Sequence, residues 1–456
     1  MFCGCIIKIS DKYPGLSRLW GWLWKRLTQG GRDGEGIRRE EGEFPPPAEG
    51  GAMDVLRDII EEKDLKVTKV KKTEEGYLVY VDYNPSSLRC KHCGSSRVWR
   101  NGRDKERKKF FGEIEGRKVY LVIRRQKYLC GDCKRTVTVM IKELPPWKRF
   151  TLSLALKMLA YLEDHSIRDC ALSFSTTFYS VTRLLRDLKL GVFWDLLKEL
   201  DEIRLAIDAH RFHKRKMAYL VVELNTRFPI AIIPASKKDV MRFLLSMPGW
   251  VKEKLKEVVM DMTLGLKKWV KDNFPGVKVV VDKFHLVSYM NRLIKEEKRT
   301  IEQVDRVRIN GRVLVKAKER LKKKEKAKLK GILAQYDTLA FIYTCKEKIR
   351  EMYGCGSKDE AEGVLDGIIS SLLKYPDPVF KKAGRTLKRW KDEILNYFDN
   401  RSTTAVVEGY HRKIKLLQRI SYGIRNWDTY HNKMLLGLWG DHKFKEKIKR
   451  KIRRCA

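Results

Sequence analysis

Acidic residues are scarce in this chain. Its 456 residues hold 58 Asp and Glu against 98 Lys and Arg, a formal net charge of +40. Such an excess repels itself unless a polyanion is at hand. Nucleic acid is therefore the first partner to consider, and an anionic membrane surface the second. Long apolar runs are also missing. None reaches the ~18 residues that a membrane-crossing helix needs, which argues against an integral membrane protein. Near the N-terminus, Trp20, Trp22 and Trp24 give way to Lys25 and Arg26, and the early charges interrupt any signal-peptide core. A disulfide framework is missing too, because six of the ten cysteines (Cys3, Cys5, Cys170, Cys345, Cys355, Cys455) show no pairing pattern. What is present is a normal globular share of apolar residues, 43%, with eleven Trp and seventeen Phe, which excludes a disordered basic tail protein.

The charge is unevenly spread. Residues 1–52 hold eight basic and seven acidic residues, so nearly all the excess lies in 53–456. Gly30–Gly51 is rich in Gly, Pro and Glu and reads as disordered. Gly50-Gly51-Ala52 before Met53 is what a bacterial ribosome-binding sequence spells when translated, so the expected true start is Met53, with 53–84 a short helix-and-strand lead-in.

Four cysteines form two pairs, Cys90-x2-Cys93 and Cys130-x2-Cys133. In a reducing cytosol such pairs bind metal more often than they form disulfides. Thiolates at this spacing can hold one structural Zn²⁺ tetrahedrally, with Gly94 and Gly131 suited to the sharp turns. The 36 residues between the pairs include a strand-like run, Lys118–Ile123, which gives the layout of a zinc ribbon over 85–147. They carry twelve basic and four acidic residues, fit for DNA or phosphate.

Residues 148–198 read as a helix-turn-helix bundle. Thr151 can cap a first helix carrying Leu152, Leu156, Leu159 and Ala160 at helical spacing. Ser166 caps a short second helix, Ile167–Leu172, and Ser175 or Thr176 can cap a third. The third helix turns Val181, Leu184, Leu185 and Leu188 inward. It offers Thr177, Tyr179, Ser180, Arg183 and Arg186 outward, where a recognition helix reads the major groove. Any three-helix bundle also has this look.

From residue 201 the pattern becomes strand-like. Leu205–Asp208, Ala218–Leu224 and Phe228–Ile233 are three short strands, followed by a helix at Lys237–Met247. A fourth strand, Glu257–Asp261, a helix, Leu264–Asn273, and a fifth strand, Lys278–Val281, complete a mixed α/β sheet of the ribonuclease-H type. In that sheet the first and fourth strands are neighbours, so Asp208 and Asp261 at their ends come together. Two close carboxylates call for a cation, and hard oxygen ligands favour Mg²⁺ or Mn²⁺. Glu408, on a later helix that Ser402 can cap, is the best third carboxylate, with Arg412 and Lys415 on its face placed for backbone phosphates. Taken singly, each acid also fits an ordinary solvated residue. The overall class is multidomain α+β: ribbon, helix-turn-helix and ribonuclease H-like core in two parts (199–285 and 394–440). A basic helical insertion (286–393) interrupts the core, and a basic tail (441–456) follows it. Residues 291–330 hold sixteen basic and six acidic residues, and the tail eight and two.

This order of parts resembles the ISL-three type of insertion-sequence transposase, a branch of the DDE transposases, over most of residues 85–435. The most specific segments are Val279–His285 and the run from Glu408 to Lys415 and on through Tyr422–Asn426. The resemblance implies that Asp208, Asp261 and Glu408 form the catalytic triad, holding two Mg²⁺ (or Mn²⁺) ions. It also implies that Asp282 and His285, an acid-x2-His motif, support the active site. Asp282 could be mistaken for the second ligand, but the strand order favours Asp261. The chain departs from the family pattern at Ala209, where members often have Glu, and at His411, where they often have Asn. The implied activity is cleavage of DNA at transposon ends and transfer to a target, in the prokaryotic cytoplasm at the nucleoid, by a dimer or larger assembly on double-stranded DNA. Rival readings are an inactive, transposase-derived DNA-binding protein and a ribonuclease H-like nuclease. A membrane role is the weakest, since no strongly amphipathic helix gathers the charge.

Overall fold

The computed structural model describes residue 60 and residues 65–455, apart from 84–87, 115, 140, 142, 145–148, 215 and 235. The 1–52 leader and the expected start at Met53 lie outside the described residues.

Among the described residues, twelve strands build three sheets. The first has the order β1-β2-β5-β4, from β1 (Lys66–Thr73), β2 (Gly76–Asp82), β4 (Arg107–Ile114) and β5 (Arg117–Ile123). The second has the order β3-β6-β7, from β3 (Val98–Arg103), β6 (Gln126–Cys130) and β7 (Thr136–Thr138). The expected ribbon is thus divided. Its flanks form the small cysteine-bearing sheet, while the Lys118–Ile123 run leaves it and pairs in parallel with β2. Residues 66–82 are accordingly half of a sheet rather than a lead-in. Burial explains the division. Phe110, Val119, Leu121 and Ile123 are all buried, and the three-stranded sheet is too small to cover them, whereas β2 brings Val79 and Val81. The β2–β5 pairing demands glycine at 76. With φ +141°, a Cβ there would lie 2.0 Å from the Lys118 carbonyl oxygen.

Three helices follow: α1 (Leu152–Tyr161), α2 (Ile167–Ser173) and α3 (Phe178–Arg186). Thr151 caps α1, and Ser166 with Asp169 forms a reciprocal capping box on α2. The cap of α3 is Thr177, not Ser175 or Thr176. Ser175 has φ +48°, whereas an N-cap takes the extended region.

The third sheet has the order β10-β9-β8-β11-β12. Its strands are β8 (Ile203–His213), β9 (Lys216–Glu223), β10 (Phe228–Pro234), β11 (Leu255–Met260) and β12 (Lys278–Val281). β8, β11 and β12 run parallel, while β9 and β10 are antiparallel. Short helices α4 (Lys237–Leu245), α5 (Gly249–Lys254) and α6 (Leu264–Asn273) connect them. β8 continues past Asp208, where the sequence pattern ended it, because β9 pairs with it as far as His213.

Between β12 and the last part of the core stand α7 (Lys283–Val304), α8 (Gly311–Val315), α9 (Lys323–Gln335), α10 (Asp337–Met352), α11 (Lys358–Lys374), α12 (Pro378–Arg389) and α13 (Lys391–Leu395). They enclose a hydrophobic core of their own, running from Val281 through Ile342 and Leu365 to Trp390. The lysine run at 322–328 lies on the solvated side of α9, where only Leu329 is buried.

The chain closes with α14 (Tyr397–Asn400), α15 (Ala405–Ile420), α16 (Trp427–Gly440) and α17 (Lys445–Cys455). Nearly every α16 residue from Thr429 onward is buried. This helix welds the three-helix bundle to the five-stranded sheet. Lys433 Nζ donates to Leu162 O at 2.6 Å, Asn432 Nδ2 to Leu185 O and Leu188 O, and Trp439 Nε1 to Pro229 O on β10. Bundle, sheet and closing helices share one hydrophobic core. Residues 441–455 are likewise no free tail. Ile448 and Ile452, one turn apart on α17, are buried in that core, and Lys451 pairs with Asp195.

Candidate active site

The register of the third sheet brings two carboxylates together. Leu205 pairs with Val258 and Ala206 with Val259 across parallel β8 and β11. Two residues further along, Asp208 stands opposite Asp261, the first residue beyond β11. Neighbouring strands lie about 4.8 Å apart. Asp208 is therefore not at the end of its own strand, but at the point where its neighbour ends and opens a cleft.

Asp208 is 14% exposed and sits among donors. The Ala209 amide donates to Oδ1 at 2.7 Å. His285 Nε2 lies 3.3 Å from Oδ1, and His411 Nδ1 lies 3.7 Å from Oδ2. Burial opposes ionisation of Asp208, but the His285 hydrogen bond and the nearby imidazoles outweigh it and hold the carboxyl below its usual range. Burial likewise works against the His285 cation, yet the bond to Asp208 and the charges of Asp208, Asp282 and Asp261 raise its pKa overall. Burial lowers His411. It also drives His210 down to about 3, helped by His411. His210 shares a 2.6 Å hydrogen bond with the Tyr430 hydroxyl, and its ring lies 4.9 Å from that of His411. Sequence reasoning missed His210 and Tyr430. His210 was within reach, being two residues from Asp208 and so on the same face of β8.

Asp261 accepts a 2.6 Å hydrogen bond from Thr263 Oγ1. Asp282 has a different task. It is fully buried, its Oδ2 accepts the Phe284 amide at 3.1 Å to cap α7, and its Oδ1 accepts the Thr404 amide at 3.0 Å. Both oxygens are thus committed to backbone, joining the start of α7, and so His285, to the start of α15. Glu408 lies exposed in the first turn of α15, with Arg412 and Lys415 exposed one and two turns on. Ser402 does not cap that helix. Thr404 occupies the N-cap without a side-chain bond, and its amide is held by Asp282.

Among the described residues, the four cysteines form the only group of three or more His, Cys, Asp or Glu side chains gathered tightly enough to hold a metal ion. Their sulfurs lie within 4.8 Å of one another, with Cys90–Cys133 at 3.6 Å and Cys93–Cys130 at 3.5 Å. Tetrahedral thiolates at 2.3 Å from one ion would be separated by roughly 3.8 Å. Backbone donors, foremost at His92 for Cys90 and at Cys133 for Cys130, lower these two thiols. Backbone amides also favour the Cys93 and Cys133 thiolates, but burial and the neighbouring sulfurs raise both overall. Four thiolates held so close would need a cation between them. Asp208, Asp261 and Glu408 do not converge in this way.

On α3, Tyr179 is 59% exposed. Arg183 and Arg186 are also exposed, and both approach Asp187 at 3.5 Å. Ser180, expected outward, is buried and accepts from Thr177, which is itself spent on the cap. Leu172 and Phe178 are largely exposed nearby, an apolar component that the sequence reading did not include.

The fold defines a class: a mixed five-stranded sheet with Asp208 on one parallel strand, Asp261 just beyond the next, and a late helix carrying Glu408. A family model described as transposase, of the ISL3 (ISL-three) type, matches residues 205–434, half of the chain and all three acids. The chain is similar to the transposase for insertion sequence element IS1001 of Bordetella parapertussis, at 21% identity over 70% of this chain and 80% of that protein. It is also similar to the transposase for insertion sequence element IS1557 of Mycobacterium tuberculosis, at 22% identity over 74% of this chain and 83% of that protein. The chain belongs to the ISL3 family of transposases.

Proposed function

We propose that this protein cuts DNA at the ends of an insertion sequence and joins those ends to target DNA. The core is read as ribonuclease H-like, with Asp208, Asp261 and Glu408 as its metal-binding acids. The observation that carries this reading is the β8–β11 register, which pairs Ala206 with Val259 and so sets Asp208 opposite Asp261 just past the end of β11. Their hard oxygens suit two Mg²⁺ or Mn²⁺ ions. Such ions, when bound, stabilise the entering and leaving oxygens of an in-line phosphoryl transfer. The chain's own residues prepare the site. Asp208 is held ionised and fixed in orientation by the Ala209 amide and His285. Asp282 ties the helix carrying His285 to the helix carrying Glu408. Arg412 and Lys415, beside Glu408, would take backbone phosphates.

The cysteine site is read as one structural Zn²⁺ that staples a basic DNA-binding sheet. The α1–α3 bundle is read as the unit that recognises the terminal repeats, through Tyr179, Arg183 and Arg186. Joining two ends implies a dimer or larger assembly, acting at the nucleoid of a prokaryotic cell. No helix among the described residues is long and apolar enough to cross a membrane. The test is Asp208→Asn and Asp261→Asn, made separately, with cleavage and binding of end DNA measured side by side. The proposal expects cleavage to vanish while binding persists. Cleavage that survives both changes would falsify it.

A further inference from the structure

One face of α7 leaves the acidic site and continues into the helical insertion. His285, Ser288, Tyr289 and Arg292 are spaced i, i+3, i+4 and i+7, so they line a single stripe. Seven residues of helix span about 10.5 Å. The stripe begins at the imidazole that touches Asp208 and ends at an exposed guanidinium. Across from it, α12 supplies Thr386 and Arg389. Together with Asp261 these residues enclose an open cavity of about 390 Å³.

Arg292 is placed through its side chain and Arg389 through its backbone, and neither charged head is committed to an acid. The Arg292 guanidinium lies 5.3 Å from the Tyr289 ring centroid. The Arg389 carbonyl accepts from Lys267 Nζ at 2.8 Å, and the same lysine reaches Glu393 at 2.5 Å, which pins the end of α12 to α6. Trp390, fully buried, closes the floor beneath Lys267. Neither Arg292 nor Arg389 has a carboxylate partner among the described residues. Elsewhere Arg125, Arg204 and Arg350 are each paired with an acid. Two unpaired guanidiniums, with the hydroxyl-bearing Ser288, Tyr289 and Thr386 between them, on the lip of an acidic site suit an anion that is shared with that site. Guanidinium forks match phosphate oxygens well.

We propose that this cavity holds backbone phosphates of the DNA strand being cut, with Arg292 and Arg389 as positioning residues beside the cleavage point. The inference rests on the reading of Asp208, Asp261 and Glu408 as the cutting site. It gives the insertion a role in placing the substrate rather than only in surrounding it with charge.

The experiment uses the full chain and terminal-repeat DNA bearing a single neutral methylphosphonate at successive positions of the cut strand. Arg292→Gln and Arg389→Gln are each compared with the Lys replacement at the same position and with Asp208→Asn. The Gln variants should cleave about 10- to 100-fold more slowly, the scale of a misplaced reacting group, with part of the rate restored by Lys. In the native protein, a methylphosphonate near the cleavage point should slow cutting, and that position should lose its effect in the matching Gln variant. Full cleavage by both Gln variants, alongside a dead Asp208→Asn, overturns this inference and leaves the cutting site intact. Normal cleavage with loss only of joining also overturns it, because the cavity would then hold target DNA. A methylphosphonate effect that persists unchanged in both Gln variants does the same. Cleavage by Asp208→Asn would instead overturn the underlying reading.

Discussion

A backbone amide and two imidazoles surround the Asp208 carboxylate, and a further group, Asp282, holds one of those imidazoles in place from 0% exposure. Asp208 and Asp261 were legible because each follows an apolar run in a recognisable strand order. The role of Asp282 was not, since its partner Thr404 lies 122 residues away. Removing the His285–Asp208 link should separate structure from chemistry. His285→Ala, at a partly exposed ring, should fold normally yet cut DNA about 10- to 100-fold more slowly through lost orientation of Asp208. Unchanged single-turnover cleavage would refute that role. Lys433 offers a test of burial itself. Desolvation lowers its ammonium to about 8 from an ordinary 10.5, so the unfolded chain binds its proton more tightly than the folded one. The charging cost is full below about pH 8 and disappears as pH rises toward 10.5, where the unfolded state would otherwise carry the extra proton. Relative to Lys433→Met, the native protein should therefore gain stability between pH 8 and 10. Denaturant unfolding at those two pH values measures the gap, and a gap that does not move would contradict the burial cost.

Elements with local instructions were the easiest to read. The caps at Thr151 and Ser166, the helix Leu264–Asn273 and the strand Lys278–Val281 depend on neighbours a few residues away. The four-stranded sheet was not readable, because β2 must find β5 some forty residues later, across the strand that forms the cysteine sheet. The burial of α16 was hidden for a different reason. Its Asn432 and Lys433 look like solvated residues in sequence, and only their pairing with helix-end carbonyls of the bundle makes them internal. That packing leaves no spare room. A Cβ at Gly437 would lie 2.5 Å from Leu417 Cδ1 and 2.9 Å from the Glu163 carbonyl oxygen. Gly437→Ala should therefore cost about 1–3 kcal/mol by overpacking, read as a lowered denaturation midpoint. Undiminished stability would mean that α15 and α1 yield more readily than their buried contacts imply.

Across the whole molecule, the +40 charge resolves into surfaces with different supports. The cysteine sheet is short and carries a core of little more than Cys90, Cys130 and Val137. With the proposed Zn²⁺ bound, it should depend on that ion for order. Chelation should raise amide exchange in β3, β6 and β7 while leaving β8, β11 and β12 protected, since the latter belong to the large shared core. Equal protection before and after chelation would argue against a structural ion. That shared core has an evolutionary corollary. The helices proposed to recognise an element's ends are not beads on a string. Their carbonyls are spoken for by a helix from the far end of the chain, and that helix also braces the sheet bearing Asp208. Under that proposal, recognition in this chain is not a separable cassette. A new end sequence would have to be learned through changes on the outer face of α3, at Tyr179, Arg183 and Arg186, while the inner face keeps faith with a partner more than two hundred residues away.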